Sequence, residues 1–319
     1  MCAVFGLIDY GKTFNSRQRE QILRVLSVEC EERGIDATGY AFNENGKLKI
    51  VKKPVPAHEL RIRLNDDSNV ILGHTRMATQ GDQKFNYNNH PFYGKAGETN
   101  FALAHNGIIY NDEILRKELN LPVTKIETDS FVAVQILEKI GELSEKSLAE
   151  MAEKISGSFV FTLLDERNNS YFVRGNNPLA LYKFKAGFYI YASTEAILES
   201  VLKGLGLAKY PHKKIETECG DILKIDEKGN LSRSKFELSC DNYFYPYHCA
   251  WESDFLHDFE SEMQLKDFAV MFGIPHEEVD LLLDYGYDLD EIAELIYEPG
   301  AFQEAVYMAM EYCYGEAFR

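Results

Sequence analysis

The chain contains no apolar run close to the roughly 20 residues that a bilayer-spanning helix needs, so no membrane span is expected. Its first residues lack the basic stretch and the long apolar core of a secretory signal. The six cysteines, at positions 2, 30, 219, 240, 249 and 313, include no C-x-x-C pair. That argues against a disulfide framework and for free thiols in a reducing cytoplasm. Cys240, His248, Cys249 and His257 lie near one another in sequence, but their spacing fits no zinc signature, and neither a metal nor another cofactor is expected. Basic residues are almost missing from one end: from Glu252 to Arg319, 18 acidic residues face only Lys266 and Arg319. That stretch carries −16 of the chain's net −17 and would repel phosphates, which excludes it as a nucleic-acid surface. It reads either as a solvated helical module or as a docking surface for a basic partner.

What is present suits one large domain and a small one: 319 residues, of which 45% are hydrophobic. A strand is expected over residues 2–10, a helix over 17–32, and a long functional loop over the Asn- and Gly-rich stretch 77–100. Short strands interleaved with a few helices then run to about residue 238. Runs of this kind indicate an α+β fold with antiparallel sheets. The aromatic-rich stretch 239–258 reads as a linker. Beyond it, residues 259–319 read as helices only. Pro275 opens one of them and Gly286 closes it. Asp288 and Glu291 form a capping-box start for the next.

The chemistry centres on Cys2. A side chain as small as cysteine permits removal of Met1, which would leave a thiol and a free α-amine on one residue. An α-amine titrates at about 7.7–8.0, so it can act as general base for its own thiol. Taken alone, a Cys at position 2 is more often a small apolar residue near a chain end than a nucleophile. Four downstream segments change the weight: Gly73-His74-Thr75-Arg76-Met77-Ala78-Thr79-Gln80-Gly81, Asn89-His90-Pro91-Phe92, Ala104-His105-Asn106-Gly107-Ile108-Ile109 and Glu127-Thr128-Asp129-Ser130. Arg33-Gly34-Ile35-Asp36-Ala37-Thr38-Gly39 lies between Cys2 and the first of them.

In this order, these segments resemble the glutaminase domain of class II glutamine amidotransferases, of the glucosamine-6-phosphate synthase and amidophosphoribosyltransferase type. The resemblance covers roughly residues 2–235. It implies a four-layer αββα sandwich of the N-terminal nucleophile hydrolase type over residues 2–238, followed by a small all-α module. It also implies hydrolysis of glutamine's side-chain amide through a γ-glutamyl thioester on Cys2, giving glutamate and ammonia. Asn106 and the Gly107 N–H would form the oxyanion hole. Arg76 would hold glutamine's α-carboxylate with a bidentate fork, Asp129 its α-ammonium, and Thr79 would line the site. His74, His90 and His105 would shape the pocket, with Arg33 and Asp36 paired behind the nucleophile.

Met77 and Gln80 stand where the family often has Trp and His, so the gating role of that loop does not carry over with the resemblance. About 80 residues follow the glutaminase region, with no P-loop and no phosphoribosyl-binding or sugar-isomerase signature. The ammonia is therefore expected to reach a separate acceptor protein, docked through the acidic module, or solution. Two alternatives stay open: an N-terminal nucleophile hydrolase of another γ-glutamyl or acyl amide, and a non-catalytic scaffold acting through the acidic module.

Overall fold

The computed structural model describes residues 2–238 and 274–296, together with positions 262, 265, 266, 269, 302 and 305–310. The chain divides into two compact units, Met1–Cys249 and Ala250–Arg319.

In the first unit, one sheet holds β1 (Ala3–Ile8), β2 (Ala37–Glu44), β3 (Lys47–Lys53), β4 (Val70–Arg76), β9 (Ala180–Phe184), β10 (Phe188–Ala192) and β11 (His212–Lys214). The other holds β5 (Phe92–Ala96), β6 (Thr99–Ile109), β7 (Gly157–Asp165), β8 (Ser170–Arg174), β12 (Asp221–Ile225) and β13 (Leu231–Lys235). The orders are β11-β9-β10-β1-β4-β2-β3 and β13-β12-β8-β7-β6-β5, with antiparallel neighbours throughout.

Helices α1 (Ser16–Glu29) and α5 (Glu195–Gly204) cover the first sheet; α3 (Phe131–Ile140) and α4 (Glu145–Lys154) cover the second. A short α2 (Asp112–Glu118) precedes α3. Successive side chains of a strand point to opposite faces, and β1 uses both of its faces. Ala3, Phe5 and Leu7 pack under α1 and α5, while Val4 and Ile8 join Ala102, Ala104 and Val160 between the sheets. Because neither face of β1 meets water, its sequence is an unbroken apolar run rather than an alternating one. The result is the expected αββα sandwich. Truncating a buried core ring such as Phe5 to alanine would cost about 3–5 kcal/mol. Outer strands carry cations that discourage edge pairing, Lys47, Lys49 and Lys53 on β3 and Lys213 and Lys214 on β11.

Two expectations need correction. The stretch 77–100 is not all loop, because it contains β5. There Phe92, Gly94 and Ala96 are buried and alternate with exposed Tyr93 and Lys95, a period hidden by the small residues. The helix expected over 17–32 ends at Glu29 and tightens into a 3-10 turn, Cys30–Arg33, which turns the chain toward β2.

The second unit contains α6 (His276–Tyr285) and α7 (Leu289–Ile296). Pro275 precedes α6, and Gly286 closes it with φ of 115°. Asp288 and Glu291 exchange backbone hydrogen bonds at 2.8 and 3.0 Å, the capping box expected for α7. Positions 262, 265, 266, 269, 302 and 305–310 are also helical. The stretch 239–258, with Cys240, His248, Cys249 and His257, lies outside the described residues. Among the described residues no helix is long and apolar enough to cross a membrane, and no group of His, Cys, Asp and Glu is arranged to hold a metal ion.

Candidate active site

The two sheets meet at one end in a small, narrow cleft. Cys2, Arg76, Thr79, His90, His105, Gly107 and Asp129 line it, with Met77, Gln80, Thr128 and Ser130. Cys2 leads directly into β1, and β1 pairs with β4 so that Ala3 lies opposite Thr75. The register brings the start of β1 to the end of β4, where Arg76 stands.

The Cys2 thiol lies 3.4 Å from the Met77 carbonyl. Burial pushes its pKa up, opposed by that hydrogen bond and by the positive charges of the chain's amino end and Arg76. A thiol held protonated needs a base before it can attack. Arg33 Nε donates to the Cys2 carbonyl at 3.0 Å, and the Asp36 carboxylate accepts from the Ala78 N–H at 2.7 Å. Both residues brace the surroundings of Cys2, Arg33 at its carbonyl and Asp36 at Ala78.

Arg76 is buried. Its guanidinium donates to Asn89 Oδ1 at 2.8 Å and to the carbonyls of Gln80 and Gly81 at 2.5 and 2.8 Å. Those bonds take up both N–H groups of Nη2 and one of Nη1, leaving the Nε–H and one Nη1–H, which lie on different edges of the guanidinium. The fork expected to await a ligand is thus partly committed to the protein. Asp129, just ahead of α3, accepts from the Ile109 N–H at 2.7 Å and from Ser130 Oγ at 3.1 Å. His105 Nδ1 lies 2.8 Å from Ser130 Oγ, so the ring, the hydroxyl and the carboxylate form one chain.

On β6, the Asn106 side-chain amide donates to Ser193 Oγ at 3.3 Å, and the same oxygen accepts from the Val4 N–H at 2.9 Å. Asn106 therefore stands beside the start of β1, although it belongs to the opposite sheet. Its own carbonyl accepts from Asn177 Nδ2 at 2.8 Å. Gly107 has φ of 141°, and a Cβ there would lie 1.9 Å from the Ser158 carbonyl oxygen, so only glycine fits. Opposite it, Phe159 sends its N–H to Asn176 and accepts from Gly175, which diverts the β6–β7 ladder at this level.

Three histidine rings cluster here, His90 and His105 in the cleft wall and His74 behind them. His74 Nε2 donates to the His105 carbonyl, 2.9 Å away, and the His74 ring lies 4.2 Å from that of His90. Burial lowers all three pKa values, that of His74 to about 3, so the rings are neutral at pH 7.

The structure thus brings together Cys2, Arg76, Thr79, Asp129, His90, His105 and Gly107 at the cleft, with Asn106, His74 and Arg33 directly behind it. Sequence reasoning missed Asn89, Ser130, Asn177, Ser193 and Lys52. Asn89 and Ser130 sat inside the motifs already singled out; Lys52, on an amphipathic edge strand, gave no signal.

A family model described as a glutamine amidotransferase domain matches residues 62–213. Glutamine–fructose-6-phosphate aminotransferase (isomerizing) of Staphylococcus epidermidis is 32% identical over 202 residues, covering 60% of this chain and 32% of that one. The Staphylococcus aureus protein of the same name is 32% identical over 241 residues, 72% of this chain and 38% of that one. The chain therefore spans about a third of the length of these relatives. Among solved structures, glutamine phosphoribosylpyrophosphate amidotransferase from B. subtilis, complexed with ADP and GMP, superposes with a TM-score of 0.60 at 19% identity. That superposition covers 75% of this chain and 50% of the other and speaks for the fold alone. The chain belongs to the class II glutamine amidotransferases.

Proposed function

We propose that the first unit hydrolyses the side-chain amide of glutamine, with Cys2 as nucleophile. Removal of Met1 gives Cys2 its own α-amine, which takes the thiol proton that burial otherwise retains. The thiolate attacks the amide carbon. The oxyanion is met by the Asn106 amide and the Gly107 N–H, donors fixed in advance by Ser193, Asn177 and the positive φ. The ammonium form of the Cys2 amine returns the proton to the departing nitrogen. Ammonia leaves a γ-glutamyl thioester, and water then releases glutamate.

The observation that carries this reading is the pairing of opposite charges beside the thiol. The positive charge of Arg76 suits an α-carboxylate, and Asp129 suits an α-ammonium. A hydrolase of simple acyl amides has no use for both. The test is direct. The full chain should release glutamate and ammonia in equal amounts from glutamine, and 6-diazo-5-oxo-norleucine should label Cys2. Peptide mapping that finds the label on Cys30 or Cys219 would overturn the assignment, as would active enzyme whose intact mass still includes Met1.

The acceptor of the ammonia is a separate protein on this reading, docked through the acidic second unit. Charge complementarity supports it, since −16 within residues 252–319 favours a basic face.

A further inference from the structure

Lys52 lies on β3, outside every motif, yet its ammonium donates to the carbonyls of Asn89 and Pro91, at 2.5 and 3.0 Å. These two carbonyls flank His90. The approach depends on Gly39, the cross-strand partner of Lys52 on β2. A Cβ at Gly39 would lie 2.2 Å from the His90 carbonyl oxygen and 3.0 Å from Pro91 Cδ. The missing side chain opens a slot in which residues 89–91 lie directly on β2, and Lys52 reaches over them. Its Nζ also sits 4.9 Å from the centre of the Phe92 ring. The segment so held does two things at the cleft. Asn89 Oδ1 accepts from Arg76 at 2.8 Å, and His90 forms part of the wall with both ring nitrogens buried and without a protein partner.

We propose that Lys52 is a positioning residue for glutamine binding, which fixes Arg76 by clamping the Asn89-His90-Pro91 backbone. The inference rests on the proposed glutamine site and names the element that sets its carboxylate-binding arginine. Its logic is mechanical. Nη2 of Arg76 already donates to the Gln80 and Gly81 carbonyls and Nη1 to Asn89, so the orientation of the guanidinium at the cleft depends on Asn89 being held. An ammonium with two carbonyl acceptors fixes a backbone segment where a neutral side chain of equal length would not. Burial and the neighbouring Arg76 charge lower the Lys52 pKa to about 8, a sign that the contact is close and dry.

Two readings on the full chain test this. Glutamine affinity is measured by titration calorimetry in a Cys2→Ser background, which removes turnover; kcat is measured by ammonia release with Cys2 intact. Lys52→Met and Asn89→Ala should each weaken glutamine binding about 10-fold, because small misplacement of a positioning group is costly, while kcat at saturation moves less than about twofold. The double variant should bind no more weakly than Asn89→Ala alone, since one acts through the other. Lys52→Arg, which can still reach both carbonyls, should restore most of the affinity. A Lys52→Met chain that binds glutamine normally but turns over slowly would overturn the proposal and make Lys52 merely structural. So would affinity losses that add in the double variant. If the Cys2 chain releases no ammonia but binding still depends on Lys52, the inference stands and the catalytic reading falls. If no glutamine binds at all, both fall.

Discussion

In the first unit charges lie inside: Arg76 and Asp129 at the cleft, and the Arg19–Asp9 pair away from it, are buried, and each is hydrogen-bonded. Among the described residues of the second unit most acids lie outside. Glu277, Asp280, Asp284, Asp290 and Glu294 are exposed, while Val279, Leu282, Ile292 and Ile296 turn inward. The first 251 residues carry a net charge of about −1, the remainder −16. Buried charges are costly to desolvate and are retained where geometry repays them. Exposed like charges cost little individually, act at a distance and are screened by salt. One unit is therefore built for chemistry at fixed positions. The other carries a field that acts at a distance.

The sharpest way to break the contrast is at the nucleophile. Cys2→Ala should lower kcat on the order of 10⁴- to 10⁶-fold, as loss of a nucleophile does elsewhere. Ammonia release from glutamine at near wild-type rate would end the first unit's claim to catalysis. Asn106→Ala should come next, with kcat down about 100- to 1000-fold and KM little changed, because the donor acts on charge that develops only in the transition state. A KM effect alone would move Asn106 from the oxyanion hole to substrate binding. Arg76→Ala and Asp129→Ala should instead raise KM, since each removes a charged contact worth about 2–5 kcal/mol once desolvated.

The sheet and helix pattern was legible wherever the apolar pattern was strong, in the unbroken run of β1 and in the helical spacing of α3, α4 and the capped α7. The layer order was not, because periodicity says which face is buried and not against what. For that the family resemblance was needed. Of the site, the residues proposed to react with and recognise glutamine were named from the sequence, and the structure gathers them at the cleft or directly behind it. The supporting residues were not so named. Ser193 and Asn177 act on Asn106 from 87 and 71 residues away in sequence, and Lys52 reaches Asn89 across 37. No local pattern announces contacts made by tertiary proximity. Region 77–100 shows the same limit, since β5 is built from Gly, Ala and Lys as much as from strand formers.

Smaller effects should appear in the stability of the first unit toward acid. A buried imidazole with a lowered pKa stays neutral in the folded chain while the unfolded chain takes up the proton near pH 6.5. Each such histidine therefore removes about 1.4 kcal/mol of stability per pH unit as pH falls below that value. For His74 the loss runs down to about pH 3, where the folded protein also protonates. His90 and His105 are shifted in the same direction. Urea midpoints at pH 7, 6 and 5 should fall steadily. His90→Phe should flatten the slope, because His90 makes no hydrogen bond that phenylalanine would lose and already packs against Phe92 and His74. Identical slopes in both proteins would place the acid sensitivity in other groups.

The smallest effect on catalysis should come from removing the second unit altogether. A chain ending after Leu238 keeps both sheets, the helices that cover them and every cleft residue. Its glutaminase rate should match that of the full chain within about twofold, because catalytic electrostatics act over a few ångströms within a dry site. The loss should appear elsewhere. A partner with a basic face would be drawn by the −16 of residues 252–319. That attraction fades beyond about 8 Å at physiological ionic strength. Association of the full chain with such a partner should therefore slow as salt is raised, chiefly in the on-rate, whereas the shortened chain should not associate at all. The control is charge reversal within the second unit, for example Asp284→Lys with Glu294→Lys. It keeps the helices and their apolar inner faces while weakening the field. If reversal leaves association intact, the acids serve only solubility. If truncation abolishes glutamine hydrolysis, the second unit is part of the catalytic fold, and the division of labour between buried and exposed charge does not hold.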